Sequence, residues 1–228
     1  MPGFLDVPVA GAYHLVHWLV SLTAPVAGSF AVVLAIVGFT VAVRLALHPF
    51  ARAAVRGERA RTALLPEIRK LQEKHRGNRE KLAAEMTRLQ QDSGTSLFVG
   101  CLPMVAQLPF FWVMYHLFST AVIAGTPNAL LTAALFGVPL GAHGLAAAPV
   151  VFVVAGALAV VAWFSVRWQD RQRDLTAPGA RLLRLLPYGT VLVTLFVPLA
   201  ASLYVLTTTT WTVAERALLR RRADSPVG

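Results

Sequence analysis

The chain has 228 residues, of which 56% are hydrophobic and only 14% charged, yet 21 Lys and Arg stand against 11 Asp and Glu for a formal charge of +10. A soluble domain is about 45–50% apolar and about 25% charged, so the composition excludes an ordinary soluble domain, and its hydrophobicity excludes a disordered basic protein. One cysteine, Cys101, excludes an internal disulfide framework and a cysteine-cluster metal site.

In chain order, the first 27 residues carry no Lys or Arg. Asp6 stands where a secretory signal would have positive charge, and residues 4–24 mix Phe4, Leu5, Tyr13, Leu15, Val16, Trp18 and Leu19 with His14, His17, Ser21 and Thr23. This pattern predicts an extracytoplasmic amphipathic helix over 1–27, lying in the membrane interface, or else an extension of the first span. The apolar run that follows predicts a first span over 28–50, containing Arg44 after an unbroken apolar stretch from Ala31 to Val43 apart from Gly38 and Thr40.

Residues 51–95 form the markedly polar region. Leu64, Ile68, Leu71 and His75 recur at helical spacing, as do Leu82, Met86 and Leu89, and Gly77-Asn78 between them is a turn signal. The pattern predicts a cytoplasmic hairpin of two antiparallel helices, with Pro66 either kinking the first or marking its start. From residue 96 the uncharged stretches 93–166 and 185–214 predict four further spans, about 97–118, 148–167, 183–197 and 199–216, followed by a short basic tail. The last two follow from charge. If both flanking basic clusters are cytoplasmic, 30 uncharged residues must cross twice, with the reversal near Pro198. Two helices of about 15 residues reach roughly 22 Å each against a core of roughly 30 Å, which implies a locally thinned bilayer.

The Lys and Arg fall in three clusters, 44–88, 167–184 and 216–222, whereas segments 1–28 and 119–148 have none. The positive-inside rule then places the N-terminus outside and the C-terminus in the cytoplasm of a plasma-membrane protein. The fold class is all-α: a polytopic membrane protein with five transmembrane helices, an N-terminal interfacial helix and a cytoplasmic helical hairpin. Orientation accounts for the basic clusters, which lack aromatic interleaving, so no specific nucleic-acid partner is expected.

Arg44 is the residue that costs energy, about 2.5–3.5 kcal/mol at a helix centre and less near an end. Two readings fit it. It is the first interfacial arginine, or it shares a polar helix face with Thr40 and His48 and lines a water-accessible cavity. Gln107 in the second span and the run Thr207–Thr210 in the fifth could join such a polar groove. HExxH, GxSxG, P-loop and GxGxxG patterns are missing, and spans one to four contain no Asp or Glu. No catalytic residue, metal or cofactor is therefore expected.

Four elements, in order, resemble YidC, the bacterial membrane protein insertases related to the mitochondrial and chloroplast insertases. They are Val43-Arg44-Leu45-Ala46-Leu47-His48-Pro49; the hairpin stretch from Leu65-Pro66-Glu67-Ile68 through His75, Met86 and Leu89; Gly100-Cys101-Leu102-Pro103…Gln107-Leu108-Pro109; and Pro187 followed by Val197-Pro198-Leu199-Ala200-Ala201-Ser202-Leu203-Tyr204. Ser96 stands at a usual proline, Val205 at a usual aromatic, Thr208 or Thr209 in the region of a usual asparagine and Glu215 near a usual glutamine. The large outer domain and long basic tail of some members are expected to be absent. The resemblance implies a non-catalytic insertase and chaperone acting as a monomer. Its cytoplasm-open groove would be lined by Arg44, Thr40, Gln107, Thr208 and Thr209. Its partners would be nascent membrane proteins, lipids, the ribosome and the Sec translocon. A channel or transporter subunit and a structural membrane scaffold are the other classes that the topology permits.

Overall fold

A computed structural model of the chain describes residues 6–93, 102–123, 125–170 and 180–224. It is predominantly helical, and the helices fall into two units: Met1–Leu45 with Phe110–Glu215, and Ala46–Pro109 with Arg216–Gly228.

The first helix, α1 (Asp6–Ala27), is followed by a 3-10 turn, Gly28–Phe30, and then by α2 (Ala31–Ala46). Val7–Ala46 is one 40-residue stretch long and apolar enough to cross a membrane; Val150–Trp168 is another. A straight helix of that first length would measure about 60 Å, twice the hydrocarbon core. The chain bends instead. Gly28 has φ +52°, a left-handed conformation that ends a helix and favours glycine. The Thr23 hydroxyl donates to the Ala31 carbonyl oxygen at 3.3 Å, eight residues ahead, a separation of about 12 Å along a straight helix. On α1, Leu15, Trp18, Leu22 and Val26 share an exposed face while Val9, Ala12 and Val16 are buried. The helix therefore offers apolar side chains both to the protein and to its surroundings.

A single turn residue, Leu47, separates α2 from α3 (His48–Lys74), and Pro49 occupies the first turn, where its missing N–H would have no partner anyway. Pro66 consequently lies inside α3 and does not mark its start. The return arm, α4 (Arg79–Ser93), begins after the Gly77-Asn78 turn, with the Lys81 N–H donating to Asn78 Oδ1 at 3.0 Å as a side-chain cap. Both expected stripes, Leu64, Ile68 and Leu71 on α3 with His75 at its C-cap, and Leu82, Met86 and Leu89 on α4, are half-buried. The two arms pack together, as expected for a hairpin whose narrow apolar stripes cover one another.

The second expected span, 97–118, starts outside the described residues and is helical from Leu102 as α5 (Leu102–Ser119). The connection after it holds a little β-structure, a departure from the all-α expectation. Strand β1 (Val122–Ile123) pairs antiparallel with β2 (Thr126–Pro127), and after α6 (Ala129–Thr132) strand β3 (Ala134–Leu135) pairs with β4 (Val138–Pro139). Phe136 and Gly137 both have positive φ, +52° and +80°, the pattern of a two-residue hairpin turn whose twist matches its strands. Phe136 is strained there, and its ring packs edge-on against Phe30 at 5.5 Å.

Helix α7 (Val150–Asp170) contacts α8 (Ala180–Val193), and α9 (Leu199–Asp224) begins directly after Pro198. The arms are unequal. Helix α8 has 14 residues and α9 has 26, eight beyond the expected end at 216. The first N–H groups of α9, which no helix can satisfy internally, donate to the loop: Leu199 N–H to Ala142 O at 3.0 Å and Ala200 N–H to Leu140 O at 2.8 Å. In the unit containing α1, α2, α7 and α9, one core joins Val16, Ile36, Phe39, Leu117, Phe118, Leu130, Leu140, Leu158, Leu199 and Tyr204. Its outer faces keep Phe152, Val153, Val160, Trp163 and Phe164 of α7 exposed. An apolar surface this extensive belongs against lipid rather than water.

Candidate functional site

The site is built on α9. Helical residues advance 100° each, so Tyr204, Thr208, Trp211 and Glu215, spaced four, three and four apart, share one face of that helix. A tyrosine, a threonine, an indole and a carboxylate on one stripe are conspicuous between the apolar start of α9, where Leu199, Ala200, Ala201 and Leu203 are buried, and its basic end.

Arg44, in the last turn of α2, reaches this stripe. Its Nε donates to Thr208 Oγ1 at 2.6 Å, and its Nη2 is directed at the same oxygen. The guanidinium is half-buried, and Thr208 is too. Tyr204, one turn before Thr208 on the same face, is buried. The arrangement keeps a permanent cation at a defined place beside α9, since guanidinium does not deprotonate in proteins.

The other hydroxyls expected at the site behave differently. Thr40 is buried at 1% exposure, and its hydroxyl donates to Ile36 O at 2.7 Å. Thr207 donates to Leu203 O and Thr212 to Thr208 O, each at 2.8 Å. These bonds return to the preceding turn of the same helix, the usual resting state of threonine in a membrane helix. Thr209 is half-buried on α9. Gln107 belongs to α5, but its side chain lies outside the described residues, as does the Gly100-Cys101 pair. His48 opens α3 and belongs to the other unit. Of the five residues proposed from sequence, the structure thus joins Arg44 and Thr208 directly.

Trp211 and Glu215 were not among them. Glu215 is buried near the end of the stripe, and Trp211 Nε1 is a buried ring nitrogen without a hydrogen-bond partner. Among the described residues one other side-chain polar atom shares that condition, Nδ1 of His116, whose ring stacks on Trp112 of the same helix at 3.7 Å. The signal for the stripe was present in the 204, 208, 211, 215 spacing. The adjacent Thr207–Thr210 run carries no such signal, because consecutive residues point to different faces of a helix. Among the described residues no cluster of three or more His, Cys, Asp or Glu could hold a metal.

In sequence comparisons, residues 23–225 match the family model described as 60Kd inner membrane protein. A relative from Streptomyces avermitilis named membrane protein insertase YidC is 26% identical, over 98% of this chain and 59% of its own length. Relatives of the same name from Anaeromyxobacter and Mycobacterium leprae are 29% and 30% identical, over 83% and 90% of this chain and 32% and 68% of their own lengths. The chain therefore spans less than two thirds of the Streptomyces and Anaeromyxobacter proteins.

Proposed function

Because the chain belongs to the 60Kd inner membrane protein family, that of the YidC insertases, we propose that it inserts nascent membrane proteins and assists their folding. The observation that carries this reading is Arg44, an arginine in an apolar unit, held half-buried against the polar stripe of α9 by Thr208. A charge kept away from bulk water has a purpose when an opposite charge must be drawn there. A guanidinium in reduced dielectric attracts an acidic side chain more strongly than it would in water, and the surrounding polar groups lessen the desolvation of the entering segment. Arg44, Thr208 and Thr209 line the client path in this reading, with Thr40 behind them, and the sequence pattern adds Gln107 to the same proposal. The groove opens to the cytoplasm.

The five-span topology with the N-terminus outside belongs to the same proposal. It is supported by the two Lys- and Arg-free segments, 1–28 and 119–148, which meet in one unit, where the Ala129 N–H donates to the Tyr13 hydroxyl oxygen at 3.4 Å. The basic α3–α4 hairpin then faces the cytoplasm, where it can meet anionic lipid headgroups, the ribosome, the Sec translocon or the client itself. The protein acts as a monomer.

Reconstitution into liposomes tests the proposal. A single-span client with an acidic N-terminal tail is expected to insert with the wild-type protein and to crosslink to a photoreactive residue at position 44. Arg44→Ala is expected to reduce both, and deletion of residues 57–92 to reduce insertion. Wild-type liposomes no better than empty ones would overturn the function. Full activity of Arg44→Ala would overturn the charge mechanism alone.

A further inference from the structure

We infer that Trp211 is a second client-binding residue, whose indole N–H donates a hydrogen bond to a main-chain carbonyl of the inserting segment. The inference rests on the insertase reading and adds to it a donor indifferent to client charge.

An unfolded segment entering an apolar layer carries carbonyl groups with no water to satisfy them until it becomes helical. A groove that eases its entry must supply donors. Most hydroxyls of the site cannot, since Thr40, Thr207 and Thr212 already donate to Ile36, Leu203 and Thr208 carbonyls of their own helices. Arg44 is engaged with Thr208. Trp211 Nε1 is buried and donates to nothing. A tryptophan nitrogen is donor only, and a buried donor left unpaired is an unfavourable arrangement that a partner relieves. Native structures rarely keep one without a reason.

Its position supplies the reason. Trp211 lies on the same face of α9 as Thr208 and three residues further along, about 4.5 Å in rise. An extended chain advances about 3.3 Å per residue. A segment whose acidic side chain sits at Arg44 therefore brings a neighbouring peptide group to the level of Trp211. The neutral indole serves that group whatever the client sequence, whereas Arg44 selects charge.

The test uses the full chain in lipid nanodiscs with 15N-labelled tryptophan. Five tryptophans give five indole signals, and the one missing in Trp211→Phe belongs to Trp211. The probe is a synthetic single-span peptide with one Asp in its N-terminal tail, and its Asn counterpart. Both peptides are expected to move the Trp211 signal downfield. In proteoliposomes Trp211→Phe is expected to lower insertion of both by about three- to tenfold, the range for loss of one hydrogen bond. Arg44→Ala should lower only the Asp peptide. A Trp211 signal unmoved by an inserting peptide overturns the inference, and this reading on the wild-type protein does not depend on the variant folding. A shift with the Asp peptide alone also overturns it, assigning the contact to the carboxylate. Wild-type liposomes that insert neither peptide remove the insertase reading itself, and the inference falls with it.

Discussion

Asn128 in the loop and Arg44 beside α9 are both polar groups in an apolar unit, and they are treated in opposite ways. Asn128 is 2% exposed, and its amide is bonded at both ends: Nδ2 donates to Leu117 O at 2.8 Å and to Thr120 O at 3.0 Å, while Oδ1 accepts from Leu130 N–H at 3.1 Å. No donor remains for a ligand. The α9 stripe holds a half-buried permanent cation beside Thr208 and, one turn away, a buried indole donor with no acceptor. A saturated polar group fastens a structure. An incompletely satisfied one is suited to receive something.

The comparison can be broken most decisively at Arg44. Arg44→Ala is expected to lower insertion of an acidic-tail client on the order of thirtyfold, corresponding to about 2 kcal/mol for removing one partner of a desolvated charge contact. It should leave thermal stability nearly unchanged. Arg44→Lys should recover part of the activity, because the charge remains and the fork geometry does not. Asn128→Ala should show the converse. It leaves two buried carbonyls and one N–H without their partner, so detergent-solubilised protein should lose about 2 kcal/mol of stability, read as a lowered midpoint of unfolding. The protein that remains folded should still distinguish acidic from neutral clients. If Asn128→Ala altered that selectivity, the loop could not be a purely structural region.

Two smaller changes sharpen the contrast within α9. Thr208→Val removes the oxygen that holds Arg44, and insertion of the acidic client should fall about fivefold, or roughly 1 kcal/mol. Thr207→Val, its neighbour, loses only a hydroxyl bonded back to Leu203, and should change insertion and stability by less than about 0.5 kcal/mol. Equal effects from both would mean that the hydroxyl run acts collectively and that the Arg44–Thr208 contact has no special role.

The hairpin was legible in sequence because its two stripes repeat at helical spacing and a Gly-Asn turn divides them, all local signals. A helix break near Pro198 was legible because 30 uncharged residues between two basic clusters leave room for two short helices. At Gly28 the sequence suggested a division between residues 1–27 and the first span but not its cause, because a glycine's left-handed φ leaves no mark in composition. Not legible either was the anchoring of α9, whose first N–H groups are satisfied by loop carbonyls more than fifty residues earlier, where no side-chain capping signal is needed.

Sequence by itself determined the segregation of charge, the identity of the apolar stretches and the single arginine set into one of them. These are properties of residue type and order, and solvation free energy acts on them whatever the fold. Tertiary structure alone decided which polar groups are available. Four adjacent threonines are chemically the same, and Thr207 and Thr208 differ only in which way the helix turns them, one toward its own backbone and the other toward Arg44. Hydrogen-bond satisfaction depends on distance and angle within about an ångström, and that information exists only once α2 and α9 have met.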